Sequence, residues 1–124
     1  MRKPFKKSLS EIPTESAHGW SGSRKLILSS FDDISWNLEA MTQAFLSVWS
    51  IFDWHFHDKI DEFFLVIQGM GTIEFRDQLF QYVPGDFIYI PANIEHRIIA
   101  EWVLENQFYF IRIKNKELYD DTVK

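Results

Sequence analysis

Cysteine is absent from all 124 residues. That absence removes disulfide bridges, thiolate metal ligands and a cysteine nucleophile together, and it suits a reducing cytosol. Long apolar runs are missing too. The longest clear one, Phe63 to Ile67, falls far short of the roughly 18 residues that a membrane-spanning helix needs. The opening residues also lack the apolar stretch of a secretory signal. The expectation is a cytoplasmic protein without a membrane partner. Positive charge is scarce: the formal net charge is -5, and Arg2, Lys3, Lys6 and Lys7 carry +4 within the first seven residues, so the remainder carries -9. Nucleic acid is therefore not expected as a partner, because binding phosphate needs a basic face. Histidine is rare, with four in the chain, so any clustering among them is informative.

What the chain does have is apolar surface. Hydrophobic residues make up 46% and aromatic residues 17%, enough to close one core in a chain of this length. Residues 1–24, rich in Ser, Pro, Gly and charge, read as a flexible or loosely packed N-terminal segment that includes the loop Gly19-Trp20-Ser21-Gly22. Residues 25–124 read as one domain. In it, short segments rich in Val, Ile, Phe, Tyr and Trp succeed one another: 25–29, 38–46, 51–57, 62–68, 72–75, 79–82, 86–90, 96–100 and 107–113. Short strands at such spacing predict an all-β sandwich or barrel. Gly69-Met70-Gly71 predicts a tight hairpin with positive φ angles, and Val83-Pro84-Gly85-Asp86 a type II turn. Only 32–41 has any helical character, with Asp33 as its cap, and Trp36, Asn37 and Thr42 weaken it.

His55 and His57 stand two apart in a strand-like segment, so strand periodicity places both on one face and turns Trp54 and Phe56 toward an apolar layer on the other. Two imidazoles on one face can reach a single ion. Glu62 follows a short turn, Asp58 to Asp61, and a hairpin there would return its carboxylate to the histidines. His96 opens another strand and offers a third nitrogen from across the barrel. Asp61 competes for the carboxylate role with a shorter side chain and the opposite strand parity, while His18 lies in the loop-rich segment. Three imidazoles and one carboxylate suit iron, manganese, nickel, copper or zinc. The metal expectation is therefore His55, His57, Glu62 and His96 around one divalent transition-metal ion.

These residues also carry a family resemblance. His55-Phe56-His57, four residues, Glu62, six residues and Gly69, followed by Gly85, five residues, Pro91, one residue, Asn93, two residues and His96, resemble the two motifs of the cupin superfamily. The likeness spans about residues 37–113. It implies a double-stranded β-helix, the cupin jelly-roll barrel, with the metal held inside by the same four side chains. Three positions depart from the pattern: Trp49 and Asn93 stand where the family usually has glycine, and Ala100 where it usually has asparagine. None is a ligand. A large ring at a turn position must strain the turn or reshape it, whereas asparagine tolerates left-handed backbone.

Parity with the ligands predicts a largely apolar lining from Phe64, Val66, Ile98 and Ala100, with Gln43, Tyr89 and Arg112 as polar candidates; Arg112 would clamp a carboxylate if it faced inward. Two functional readings stay open. One is a metal-dependent enzyme acting on a small organic molecule, an oxygenase or an isomerase. The other is a binding or sensing module whose metal fixes a small-molecule ligand without turnover. A homodimer is expected, since the resemblance implies paired sheets and the aromatic content supplies surface to bury.

Overall fold

Strand β3, Leu38–Leu46, shows why these segments become strands: Ala40, Thr42, Ala44 and Leu46 are buried while the residues between them are not. That period of two is what a pleated backbone imposes when one face meets a core. The computed structural model describes residues 3–17 and 22–120. Their strands are β1 (Glu15–Ala17), β2 (Gly22–Ser29), β3, β4 (Ile51–His55), β5 (Ile60–Gln68), β6 (Gly71–Phe75), β7 (Leu79–Tyr82), β8 (Phe87–Ile90), β9 (His96–Ala100) and β10 (Asn106–Lys114), followed by the short helix α1 (Lys116–Asp120).

They form two antiparallel sheets, ordered β1-β2-β3-β10-β5-β8 and β4-β9-β6-β7. From β3 to β6, and again from β7 to β10, each successive strand lies in the opposite sheet, which is the winding of a jelly roll. The inner faces meet over Leu46, Phe52, Phe64, Ile73, Tyr82, Ile98 and Phe108, all buried. Rings from both sheets contact edge to face, as Tyr82 does against Phe108 with centroids 5.6 Å apart.

Several expectations change in the folded chain. The turn that precedes Glu62 and the link at Gly69-Met70-Gly71 are not hairpins: β4 and β5 belong to different sheets, as do β5 and β6. Of the two glycines only Gly69 has positive φ, at 84°, and a Cβ there would lie 2.9 Å from the side-chain amide carbon of Asn106. The turn at Val83–Asp86 forms as expected, with Gly85 at φ 94° and the Asp86 amide donating to the Val83 carbonyl. The helical reading of 32–41 fails. Ser30–Asp32 is a single 3-10 turn capped by Ser29, Asp33 is left-handed at its end, and Leu38 onward pairs in the sheet. Pairing on both sides, with β2 and β10, outweighs a weak local propensity. Within residues 1–24, Glu15–Ala17 pairs with Gly22–Arg24, and residues 19–21 of the expected loop lie outside the described residues.

Candidate metal centre

The four ligand candidates reach one place from both sheets. His55 ends β4 and His96 opens β9, where the two are direct cross-strand partners. Glu62 lies on β5 in the facing sheet and points into the same interior, 4% exposed. His57 sits beyond the end of β4, which stops at His55 because the chain turns there: Lys59 is left-handed at φ 62°, and the His57 carbonyl accepts from the Asn93 amide at 3.0 Å. Asn93 is itself left-handed at φ 68°. The residue standing at a usual glycine position thus adopts the backbone that position needs, and its amide ties the β8–β9 turn to a ligand candidate.

One nitrogen or oxygen from each of His55, His57, Glu62 and His96 lies within 4.8 Å of all the others. The ring centroids of His55 and His96 are 4.3 Å apart, and those of His55 and His57 5.1 Å. His57 Nε2 is 3.3 Å from Glu62 Oε2, while His96 Nε2 is 3.6 Å from Glu62 Oε1. Burial acts to raise the Glu62 pKa, yet the imidazoles of His57 and His96 outweigh it and hold the carboxyl at about 2. Burial is also the leading cause at His55, where it lowers the pKa; neighbouring imidazoles add to that, and the Asp53 carbonyl and Glu62 oppose it. The cluster therefore favours one anionic carboxylate beside a neutral imidazole, the forms that bind metal.

The donor set fits a divalent transition ion on a specific observation. His96 Nδ1 lies 2.8 Å from the Ile94 carbonyl, to which it donates, so Nε2 is the ring nitrogen left to face the cluster. That Nε2 is buried without a hydrogen-bond partner. A buried polar atom with no partner costs about 1–3 kcal/mol, and a bound ion would remove the cost. His55 Nδ1 is held likewise, 2.7 Å from the Asp53 carbonyl, the outer contact that orients ligating imidazoles.

Asp61 is absent from the cluster. Its two oxygens accept from the Ala92 amide at 2.9 Å and the Asn115 side chain at 3.0 Å, joining β5 to the segments on either side. His18 lies outside the described residues. Trp54 and Phe56 do point away from the histidines, but outward rather than into an apolar layer: Phe56 is exposed, and Trp54 lies beneath the Arg76 guanidinium at 3.9 Å and beside that of Arg97 at 5.1 Å. The interior face of a two-sheet barrel is the ligand side, so residues of opposite parity meet solvent.

A cavity of about 290 Å³ opens beside the cluster, lined by His55 and Glu62 with Phe52, Ile98, Phe110 and Ala44. Of the four apolar residues expected there, Ile98 lines it, whereas Phe64, Val66 and Ala100 pack in the core. Arg112 does face inward; Tyr89 is exposed and Gln43 is not in the lining. Thr42, Arg24 and Ser16 also line the cavity, and the sequence reading missed them. For Thr42 the signal was available: it stands in the alternating series Ala40, Thr42, Ala44, Leu46. Arg24 and Ser16 enter only through the pairing of β1 on β2.

The cupin domain family matches residues 48–102. Among solved structures, the chain is similar to a predicted oxalate decarboxylase from Thermotoga maritima, with TM-score 0.72, 17% identity and coverage of 86% of this chain and 96% of that one. It is also similar to ectoine synthase from P. lautus, with TM-score 0.77, 14% identity and coverage of 95% and 86%. A cupin-2 domain containing protein from Shewanella frigidimarina aligns with TM-score 0.58, 27% identity and coverage of 78% and 82%. No curated protein matches the chain in sequence.

Proposed function

We propose that this chain, whose residues 48–102 match the cupin domain family, is a cupin in which His55, His57, Glu62 and His96 hold one divalent transition-metal ion, and that with it the protein transforms a small organic molecule, as an oxygenase or an isomerase. The observation that carries this reading is the unpartnered Nε2 of buried His96, aimed at the same space as the Glu62 carboxylate and two further imidazoles. When bound, such an ion supplies a Lewis acid with coordination positions left open for a substrate. The chain's own residues do the rest. Asp53 and Ile94 carbonyls orient His55 and His96, Glu62 contributes the negative charge, and Phe52, Ile98 and Phe110 exclude water from the bound molecule. Oxalate decarboxylase and ectoine synthase are names of enzymes, which agrees with a catalytic barrel.

One observation favours the second reading, a binding or sensing module without turnover. Among the described residues, the titratable side chains lining the cavity apart from the metal-ligand candidates are the arginines Arg24 and Arg112, and a guanidinium does not give up its proton at ordinary pH. Any proton transfer would then fall to the ligands or to the substrate. Metal analysis of protein purified without added metal, alongside His55→Ala and His96→Ala, tests the site first: about one ion per native chain and none in the variants is expected. Dioxygen uptake or product formation by the iron-loaded protein then separates the readings, and a ligand recovered unchanged after long incubation would favour the module.

We also place the protein in the cytosol as a homodimer. No helix of the described residues is long and apolar enough to cross a membrane. Exposed Leu65 and Phe87 are cross-strand partners, and Tyr89 lies beside Phe63 on the same outer face of β5 and edge strand β8. An apolar stripe on a sheet edge is the kind of surface a second copy covers. Light scattering should give twice the chain mass, falling to one for Phe87→Asp.

A further inference from the structure

Arg112 is placed by register, not by chance. On β10 it shares parity with buried Phe108 and Phe110, and its cross-strand partners are Glu62 on β5 and Ala40 on β3, both buried and facing inward. The guanidinium therefore enters the cavity in the same row as a metal-ligand candidate. Its Nε pairs with Glu39 at 3.2 Å. Arg24 repeats the arrangement at the β2 wall, its Nε donating to Glu15 at 2.8 Å. In both, one edge of the guanidinium is taken by a carboxylate of the chain, and the terminal amino groups have no further partner among the described residues. Between them the hydroxyl of Thr42, a residue 6% exposed, also lines the cavity without a hydrogen-bond partner among the described residues.

A cavity wall that also includes Phe52, Ala44, Ile98 and Phe110 would be expected to keep its polar atoms satisfied internally. Here they are left pointing at the space. A guanidinium pre-oriented through Nε presents a planar pair of N–H groups, the shape that a carboxylate meets with two parallel hydrogen bonds.

We propose that Arg112 selects the substrate: the cavity takes a small organic acid, one end of which meets the metal centre while a carboxylate at the other end is held by the terminal amino groups of Arg112, with Thr42 as a further donor and Arg24 as a second cation at the wall. This rests on the metal reading above. The side chain is a specificity-determining residue and takes no chemical step itself.

The test uses zinc-loaded protein, so that no redox turnover intervenes, and titrates malonate, succinate and glutarate against their monomethyl esters by calorimetry. The ester keeps one carboxylate for the metal and removes the second. At least one free diacid is expected to bind tenfold or more tightly than its ester, and that preference should fall to about onefold in Arg112→Gln with zinc content unchanged. Because Arg112→Gln leaves Glu39 without its partner, the double variant Glu39→Gln/Arg112→Gln serves as a neutral version of the pair and should give the same loss. Arg112→Lys, which keeps the charge and loses the fork, should retain only part of the preference. Equal affinity for diacid and ester in the native protein, an undiminished preference without Arg112, or inorganic phosphate binding as tightly as the best diacid would each overturn the proposal. Should the native protein take up no zinc, the metal reading fails by itself; a diacid preference that persists in that protein and disappears in Arg112→Gln would still establish the arginine end.

Discussion

The two ends of the barrel treat their buried polar groups in opposite ways. At one end Tyr82 donates to Asn106 at 2.5 Å, and Asn106 donates onward to the Leu104 carbonyl at 3.1 Å, so this pair from opposite sheets is satisfied within the chain. Burial, with Glu101 nearby, pushes the Tyr82 phenol well above its ordinary pKa and keeps it a donor. Six residues along β10, at the level of Arg112 and Glu62, the polar groups are left turned toward a shared space, with His96 Nε2 the clearest case. The first end is a structural clasp between the sheets. The second leaves the buried His96 Nε2 without a partner inside the chain, in a cluster whose atoms lie close enough to share one ion.

That contrast can be broken most forcefully at the clasp end. Phe108→Ala should lower the unfolding free energy by about 3–5 kcal/mol, as large aromatic truncations in cores do, while the metal-to-protein ratio of the folded fraction stays unchanged; denaturant unfolding and metal analysis check the two halves. Next in size is His96→Ala, expected to weaken metal binding by at least about 100-fold, because outer-shell contacts alone are worth 10–100-fold. Its metal-free stability should fall far less than that of Phe108→Ala. Asn106→Ala should cost about 1–3 kcal/mol by leaving the Tyr82 hydroxyl unpaired, again without loss of metal. A drop in metal affinity there would show the two ends to be coupled.

Acid sharpens the same comparison. The Glu62 pKa is depressed from 4.5 to about 2, so its ionisation stabilises the metal-free fold fully above about pH 4.5, and that contribution disappears as pH falls toward 2. His55, depressed below 6.5, binds its proton more readily in the unfolded chain, so stability is also lost as pH falls from 6.5 through the lowered folded value. Melting temperatures of metal-free protein should therefore decline in two stages, and Glu62→Gln should remove the lower one. The smallest effect is expected at Trp49, which sits left-handed at φ 62° in a turn closed by the Ser50 amide on the Ser47 carbonyl and is 71% exposed. A non-glycine residue there costs roughly 1–2 kcal/mol, partly offset by the unfolded-state entropy of glycine. Trp49→Gly should stabilise by about 0.5–1 kcal/mol, and a loss of stability would reveal a role for the exposed indole.

Much of this architecture was legible because alternation and turn chemistry are local. The segments 38–46, 79–82 and 96–100 were delimited residue for residue by their apolar alternation and flanking turns, and Gly85 announced its own backbone angle. His55, His57 and Glu62 were legible for the same reason, since spacings of two and five residues are local facts, whereas His96 stands in the second motif, far along the chain. Sheet membership was not, because which strand a segment pairs with depends on contacts distant in the chain. That is why local pattern predicts hairpins at the β4–β5 and β5–β6 links, and an apolar layer around Trp54 where two guanidinium groups lie.

The sequence alone determined that this chain builds strands around one core and carries three imidazoles and a carboxylate at spacings a metal site uses. Only the tertiary structure brought Glu62 to the histidines from the facing sheet, because which face of β5 meets the opposite sheet is not a local property. It also decided that Arg112, Arg24 and Thr42 share their cavity. Strand parity restricts a side chain to one of two faces; the packing of one sheet on another decides which face is the inside.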